Sequence, residues 1–488
     1  MFLGIDIGTS AIKALLVDGD ENGLATATVA VATSRPQALW SEQDPDDWWR
    51  GTTDAVAQLR AQAGPAWSAV RAIGLSGQMH GAVLLGATGR PLRPAIIWND
   101  GRSHREASRL NVDLAEIGTI AGVIPMPGFT APKLIWLRQN EPEILRDTAH
   151  LLLPKDYVRL QMTGTLATDM SDAAGSLLLD CGARDWSDAI LAQCGVSRRQ
   201  LPELLEGSAP SGHLRDELAS AWGLPKGIVV AAGAGDAAAG AIGVGAIAEG
   251  DAFISLGTSA QYFIARDGYH PAPEHLIHTF CHGLPQRWFQ MAAILNGASS
   301  LAWAVGATGG GDIGALLAEV EKGYEGPSPV LFLPYLTGER TPHNDAHAKG
   351  VFFGLTPVTT RHDLVLAALD GVTLSLADCQ DLLAETGGLP TSVAVVGGGA
   401  RSSLWMRILA SALGREMVLY EGSDVGPALG AARLARIALT GEDPDAVCRK
   451  PAIAARFAPD AALHAAYGRR LQRYRDLYAA LRPAFREA

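Results

Sequence analysis

A chain of 488 residues is too long for one ordinary hydrophobic core, so two domains are expected. With 48% apolar and 19% charged residues it can build both cores, which excludes a disordered or low-complexity protein. A net charge of −11 excludes a nucleic-acid partner, but not a nucleotide, whose phosphates backbone amides and magnesium can hold.

The N-terminus runs straight into Phe2-Leu3-Gly4-Ile5-Asp6, with an early acid and no basic region, so no signal peptide is expected. Phe2–Ile7, Ala11–Asp18 and Ala25–Thr33 read as strands, with turn residues from Asp18 to Gly23 between the last two. Asp44-Pro45-Asp46-Asp47 then opens a helix, its acids placed where the helix dipole favours them. Arg71–Ser76 and Ala82–Leu85 are further strands. Residues 228–248 are almost wholly Ala, Gly, Val and Ile, yet they include Asp236 and lack the aromatic flanks of a membrane span. They read as a buried strand leading into a tightly packed helix. The second half restarts the plan with strands at Ala252–Leu256 and Gln261–Ala265, and a later strand Val393–Val396 runs into three glycines. Five cysteines, odd in number and never closely spaced, read as reduced thiols of a cytoplasmic protein.

Asp6-Ile7-Gly8-Thr9-Ser10 and Ser255-Leu256-Gly257-Thr258-Ser259 are nearly one strand–turn–strand element, half a chain apart. Small turn residues expose amides to a phosphate, and two such turns facing one cleft would grip a triphosphate from both sides. Gly397-Gly398-Gly399-Ala400 would let a flat base or ribose lie on bare backbone. No Gly-x-x-x-x-Gly-Lys-Ser/Thr run exists, which excludes a P-loop. The repeat implies two similar α/β domains, with a boundary near Gly243–Gly250 that divides 1–245 from 246–488.

Two patterns point elsewhere. His275, His278, Cys281 and His282 have the residue types of a zinc cluster, but on a strand His278 and His282 lie roughly 13 Å apart at about 3.3 Å per residue. Gly233-x-Gly235-x-x-Ala238 matches a dinucleotide fingerprint, but the acid at the expected distance, Asp251, precedes its strand instead of ending it.

Asp6–Ser10, Ser255–Ser259 and Val395–Ala400 resemble the phosphate and adenosine motifs of the superfamily that contains actin, hexokinase and the heat-shock ATPases. Gly128–Asn140 and Gly350–Asp370 resemble the two signatures of the FGGY carbohydrate kinases. Ser76–Gly81, Trp98–Arg102 and Gly338–Asn344 are similar to the xylulokinase branch of that family, and Met79-His80 replaces the Arg-Glu of glycerol kinases. The resemblance implies two actin-like (ribonuclease H-like) α/β domains around a cleft, with ATP and Mg2+ bound between them. It implies Asp236 as the base toward a sugar hydroxyl, in a reaction forming D-xylulose 5-phosphate. Asp6, with Asp236, would serve the metal, while Met79 and His80 would touch the sugar. ATP would be held by Gly8, Thr9, Ser10, Gly257, Thr258, Ser259, Gly398, Gly399 and Ser403. The helix start at Asp236 is expected to keep its carboxylate ionised. The sequence departs from the branch at Ala237, where xylulokinase-like chains carry Asn. Another ketopentose or polyol, or a non-catalytic nucleotide sensor, therefore stays open, as does a homodimer.

Overall fold

The computed structural model describes residues 1–422 and 426–486. Two mixed sheets carry the architecture, and they repeat one another. The first runs in the spatial order Gly23–Ala30, Ala11–Val17, Phe2–Ile7, Ala72–Gly77, Val229–Ala231, Pro210–His213. Its first three strands pair antiparallel, Ala72–Gly77 and Val229–Ala231 add in parallel, and Pro210–His213 closes antiparallel. The second lays Trp288–Ile294, Ala260–Arg266, Ala252–Leu256, Ser392–Val396, Glu416–Tyr420 and Ile453–Phe457 in the same succession of directions. One further strand, His278–Cys281, extends it beyond Trp288–Ile294.

Local chemistry explains the elements. All six residues of Phe2–Ile7 are buried, as befits a strand covered on both faces. Asp44 caps the helix Pro45–Ala63, accepting from the Asp46 amide at 3.0 Å. The third strand begins at Gly23, earlier than its sequence suggests, because the pairing slips between Leu16 and Val17 and brings Gly23 into the ladder.

The Ala/Gly-rich window becomes the strand Val229–Ala231 and the helix Asp236–Val244. That helix packs against Gly426–Thr440, which lies between two strands of the second sheet in the chain yet packs on the first sheet. The contact is backbone on backbone. A Cβ at Gly4 would fall 1.9 Å from the Ala428 carbonyl oxygen, one at Gly74 1.8 Å from that of Ala431, and one at Gly430 1.9 Å from that of Ala239. Arg433 fixes the crossing, donating to the carbonyls of Ile242 and Gly243 and forking onto Glu21. The two halves are thereby joined by a closely packed seam of small residues. Among the described residues no helix is long and apolar enough to cross a membrane.

Gly350–Asp370 also proves architectural. Thr360 and Asp363 form a capping box at the start of the helix Arg361–Thr386. Buried Asp370 accepts from the Ser328 amide and the Tyr467 hydroxyl, each at 2.7 Å, and so ties the long C-terminal helix Ala461–Phe485 to this half.

Candidate active site

The two repeated turns have their carbonyls pinned away from the cleft. In the first, Thr9 O accepts from Gln43 Nε2 at 2.7 Å and Ser10 O from the Val31 amide at 2.9 Å. In the second, the start of the helix Ala298–Ala307 does this work: the Ala298 amide donates to Gly257 O at 2.7 Å and the Gly297 amide to Thr258 O at 3.0 Å. Gly297 must be glycine, since a Cβ there would lie 2.6 Å from the Ser259 carbonyl carbon. Among the described residues the amides of Thr9, Ser10, Thr258 and Ser259 donate to no other group. Donors left free at a turn suit an anion.

A cavity of about 170 Å³ opens between the halves, lined by Thr9, Met79, His80, Trp98, Asp236 and Ala237 from one side. Ser259, Gln261, His278, Met291 and Arg340 face them from the other. Asp236 is the first residue of its helix, its Oδ1 accepting from the Ala237 amide at 2.8 Å. It keeps part of its surface open to the cavity. The expectation of a carboxylate held ionised by the helix end is not met. Burial, with the Asp6 charge second, pushes the Asp236 carboxyl up to about 7, and burial pushes Asp6 up to about 6 against the hydrogen bond from Ser76 Oγ at 3.1 Å. Desolvation and a like charge outweigh one helix terminus.

Met79 and His80 are held by what surrounds them. A Cβ at Gly175 would sit 2.6 Å from Met79 Cε, and one at Gly235 2.8 Å from Met79 Sδ, so both glycines make room for this side chain. At Gly233, whose φ is +85°, a Cβ would fall 2.2 Å from Leu75 O, so Gly233 and Gly235 both serve close packing, which accounts for the apparent dinucleotide fingerprint. His80 has φ +71°, a left-handed conformation that a non-glycine residue rarely keeps without support. The support comes from the first FGGY-like signature: Thr130 Oγ1 at 3.0 Å and Lys133 Nζ at 2.7 Å both donate to His80 O. Burial lowers Lys133 to about 7. His80 Nδ1 lies 2.5 Å from Gly175 O, so that nitrogen carries the proton and Nε2 is left as an acceptor. Burial holds the ring well below its ordinary pKa, and hence neutral.

A second cavity, about 460 Å³, lies in the C-terminal half, lined by Gly398, Gly399, Arg401, Ser402, Ser403, Leu317, Glu321 and Ala298 among others. A Cβ at Gly398 would meet nothing within 4 Å, whereas one at Gly399 would strike Leu256 Cδ2 at 2.5 Å. Ser403 Oγ bonds the Glu321 carboxylate at 3.2 Å. The turn Gly257–Ser259 joins the two cavities, since Ser259 lines the first and Ala298, bonded to Gly257, lines the second.

The apparent zinc cluster disperses. His275 turns to Glu385 at 3.1 Å, Cys281 Sγ to Cys181 O, and His282 Nδ1 to the Leu284 amide. Only His278 reaches the sugar-sized cavity. Sequence reasoning missed it there, along with Trp98, Gln261, Met291 and Arg340. The signal for Trp98 and Arg340 lay in the quoted segments 98–102 and 338–344, whose side chains had no assigned task.

The family model for the N-terminal domain of FGGY carbohydrate kinases matches residues 1–243, and the model for the C-terminal domain matches 252–439. The chain belongs to the FGGY family of carbohydrate kinases. It is a sugar kinase, transferring phosphate from ATP. It is 48% identical to the xylulose kinase of Escherichia coli over 99% of both chains, and 35% identical to that of Bacillus subtilis over 89% of this chain and 87% of that one. A crystal structure described as a "xyloylose kinase" from Brucella ovis superposes with a TM-score of 0.96 at 47% identity, covering 99% of each chain. That of Rhodospirillum rubrum xylulose kinase gives 0.91 at 27% identity, also over 99% of each.

Proposed function

We propose that this FGGY kinase phosphorylates D-xylulose to D-xylulose 5-phosphate. The observation that carries the reading is the cavity bearing Met79, His80 and Asp236, in a chain that matches xylulose kinases along its whole length. His80 Nε2 accepts from a sugar hydroxyl and Met79 packs on the carbon chain. Asp236 takes the proton of the terminal hydroxyl as its oxygen bonds to the γ-phosphorus. The bond from that phosphorus to the bridging oxygen breaks, and ADP leaves. A carboxyl poised near 7 suits a base working at neutral pH. Positioning supplies most of the rate.

The free amides of Thr9, Ser10, Thr258 and Ser259, with Gly8 and Gly257 keeping both turns narrow, hold the triphosphate between the halves. Gly398 and Gly399 meet the adenosine, with Ser403 at the rim. The residues present fit a magnesium ion. Asp6 and Asp236 are neighbouring carboxylates whose like charges raise the cost of ionising both, and a cation relieves it. Asp6 and Asp236 would hold the ion together with substrate phosphates. When bound, magnesium neutralises charge on the phosphates. Closing of the halves excludes water that would otherwise accept the phosphoryl group.

ADP release with ATP and magnesium, measured across D-xylulose, D-ribulose, L-ribulose, xylitol, glycerol and D-gluconate, tests the reading. D-xylulose is expected to give the highest kcat/KM. A clear preference for another sugar, the alternative that Ala237 leaves open, would overturn the substrate assignment and leave the kinase standing. No release with any sugar would favour a nucleotide sensor.

A further inference from the structure

Two polar side chains of the C-terminal half face the sugar cavity with no protein partner. His278 is 1% exposed, and neither ring nitrogen has a hydrogen-bond partner. Burial lowers it to about 3, so it stays neutral, with one nitrogen a donor and the other an acceptor. Buried polar groups are nearly always bonded, and an orphaned pair of atoms facing a cavity indicates an absent ligand. Arg340 lines the same cavity, and among the described residues its guanidinium makes no hydrogen bond and no ion pair.

The loop carrying Arg340 is fixed, which removes the alternative that the side chain is merely loose. The neighbouring carboxylate, Glu339, is the obvious ion-pair partner, but it is consumed elsewhere. Glu339 Oε1 accepts from the Leu295 amide at 2.6 Å and the Arg340 amide at 2.7 Å, while Oε2 accepts from Asn296 Nδ2 at 3.1 Å. Asn296 also donates to Gly338 O at 2.7 Å, and the Thr341 amide donates to Ala293 O. These bonds clamp residues 338–341 to the end of the strand Trp288–Ile294 and leave the guanidinium aimed into the cavity.

Its position in the cavity distinguishes a phosphate from a sugar as its target. The guanidinium carbon lies 6.0 Å from the Trp98 ring centroid. Arg340 Nη2 lies 4.0 Å from where a Cβ on Gly128 would stand, and the next residue, Phe129, packs its ring on both His80 at 4.6 Å and His278 at 5.7 Å. Asp236, by contrast, follows the Ala234–Gly235 strand that pairs with Ser76 and Gly77, the partners of Asp6 and Ile7. Arg340 and His278 therefore gather on the Phe129 side of the cavity, and Asp236 on the side of Asp6.

Resting on the kinase reading above, we propose that Arg340 and His278 are specificity-determining residues that hydrogen-bond the oxygens at the end of the sugar remote from the phosphoryl acceptor. For D-xylulose these are the C2 carbonyl, which accepts from the guanidinium fork, and the C1 hydroxyl, which His278 meets as donor or acceptor. The remote end of the sugar is then read by the C-terminal half, while His80 and Asp236 of the N-terminal half hold the rest. Recognition of the correct sugar and apposition of the halves become one event.

The test is a substrate-by-variant comparison with intact enzyme. Arg340→Gln, Arg340→Lys and His278→Asn are assayed with D-xylulose and with xylitol and 1-deoxy-D-xylulose, which lack the carbonyl and the C1 hydroxyl respectively. ATP affinity is measured by calorimetry. Arg340→Gln is expected to raise KM for D-xylulose about 10- to 100-fold, as for a lost hydrogen bond to a charged donor, and to cost less than about threefold with xylitol. Arg340→Lys should recover only part of the loss, because it lacks the fork. His278→Asn should show the matching collapse with 1-deoxy-D-xylulose. ATP affinity should stay within about twofold in all three, which also reports an intact fold. Equal losses on all sugars, or weakened ATP binding in both Arg340 variants, would overturn the proposal. If the wild-type enzyme prefers another sugar, only the substrate assignment fails, and the same comparison is made with that sugar and its remote-end deoxy analogue.

Discussion

The two repeated turns differ at their first residue and in what stands behind them. Asp6 of the N-terminal half pairs in register with Lys13, and its counterpart Ser255 pairs with Gln261. Behind the first turn lies a side-chain network: Trp98 Nε1 donates to Thr9 Oγ1 at 2.8 Å, and Gln78 and Gln43 complete the set. Behind the second lies a helix N-terminus, whose amides take the carbonyls. A duplicated scaffold has therefore kept the same cradle of free amides twice and placed a carboxylate on one side only. The acid stands beside Asp236, and the helix Ala298–Ala307 borders the cavity of the C-terminal half. Symmetry repeats the free amides, and its breaking places the Asp6 and Asp236 carboxylates on one side only.

The largest effect should come from the residue assigned as the base. Asp236→Asn keeps the shape but cannot take a proton, so kcat should fall ~10²–10⁴-fold. Calorimetry should find ATP binding nearly unchanged, since Gly398, Gly399 and Ser403 lie in the other cavity. Retention of more than roughly a tenth of wild-type turnover would remove Asp236 from the role of base. The pH profile checks the same point. A base works only when deprotonated, and burial with the Asp6 charge raises this one to about 7. In the free enzyme kcat/KM should accordingly fall about tenfold per unit as the pH drops below that value.

Next in size is an exchange of the two turns' first residues. Asp6→Ser, which copies the second turn onto the first, should cost ~10²–10³ in kcat, the usual scale for losing one electrostatic element of a transition state. Ser255→Asp should instead raise KM for ATP by repulsion. The double exchange should not restore activity, because Asp236 sits beside the first turn only. Recovery in the double variant would show the two halves to be interchangeable.

Much of this was legible in the sequence, and what was not has a common cause. The strands at Phe2–Ile7 and Ala252–Leu256 and both turns are local hairpins, so a short apolar run and the turn residues after it mark them. The Asp44 cap and the Gly398–Gly399 bend are equally local. The wall formed by Trp98, Gln261, His278, Met291 and Arg340 is assembled from segments up to two hundred and more residues apart, and no spacing encodes it. Protonation was misread for the same reason. The helix terminus at Asp236 is visible in the chain, but its burial beside Asp6 is not. Lys133 shows the same limit from another side: nothing in its signature segment tells that its ammonium holds the His80 carbonyl in place.

Smaller effects should separate the two glycines of the nucleotide cavity. Gly398→Ala adds a methyl group where nothing stands within 4 Å, so the thermal midpoint should be unchanged while KM for ATP rises roughly tenfold, about 1.4 kcal/mol. Gly399→Ala places the methyl 2.5 Å from Leu256 Cδ2, and overpacking of that kind costs about 1–3 kcal/mol of stability. Calorimetric scanning of the two variants reads the difference. Equal destabilisation would mean that Gly398 is held by the fold, with no role toward the base.

The smallest effect concerns the position where the sequence leaves its branch. Ala237 lines the sugar cavity at 5% exposure, directly after Asp236, and its methyl group makes no hydrogen bond. If the cavity is built for D-xylulose but lacks one hydroxyl partner there, Ala237→Asn should supply it. One ordinary hydrogen bond is worth about 0.5–1.5 kcal/mol, which corresponds to a several-fold fall in KM with kcat nearly constant. The competing account is that another side chain already meets that hydroxyl, and His278 is the first candidate because both its ring nitrogens are unpartnered. The double variant Ala237→Asn/His278→Asn distinguishes the two. If the introduced amide and the His278 ring serve different oxygens, the two substitutions have additive effects on KM. If they compete for one oxygen, Ala237→Asn helps only when His278 is gone. A rise in KM for D-xylulose on Ala237→Asn alone, with a wild-type preference for another sugar, would mean that the cavity is shaped around a substrate whose hydroxyl is absent or inverted at that point.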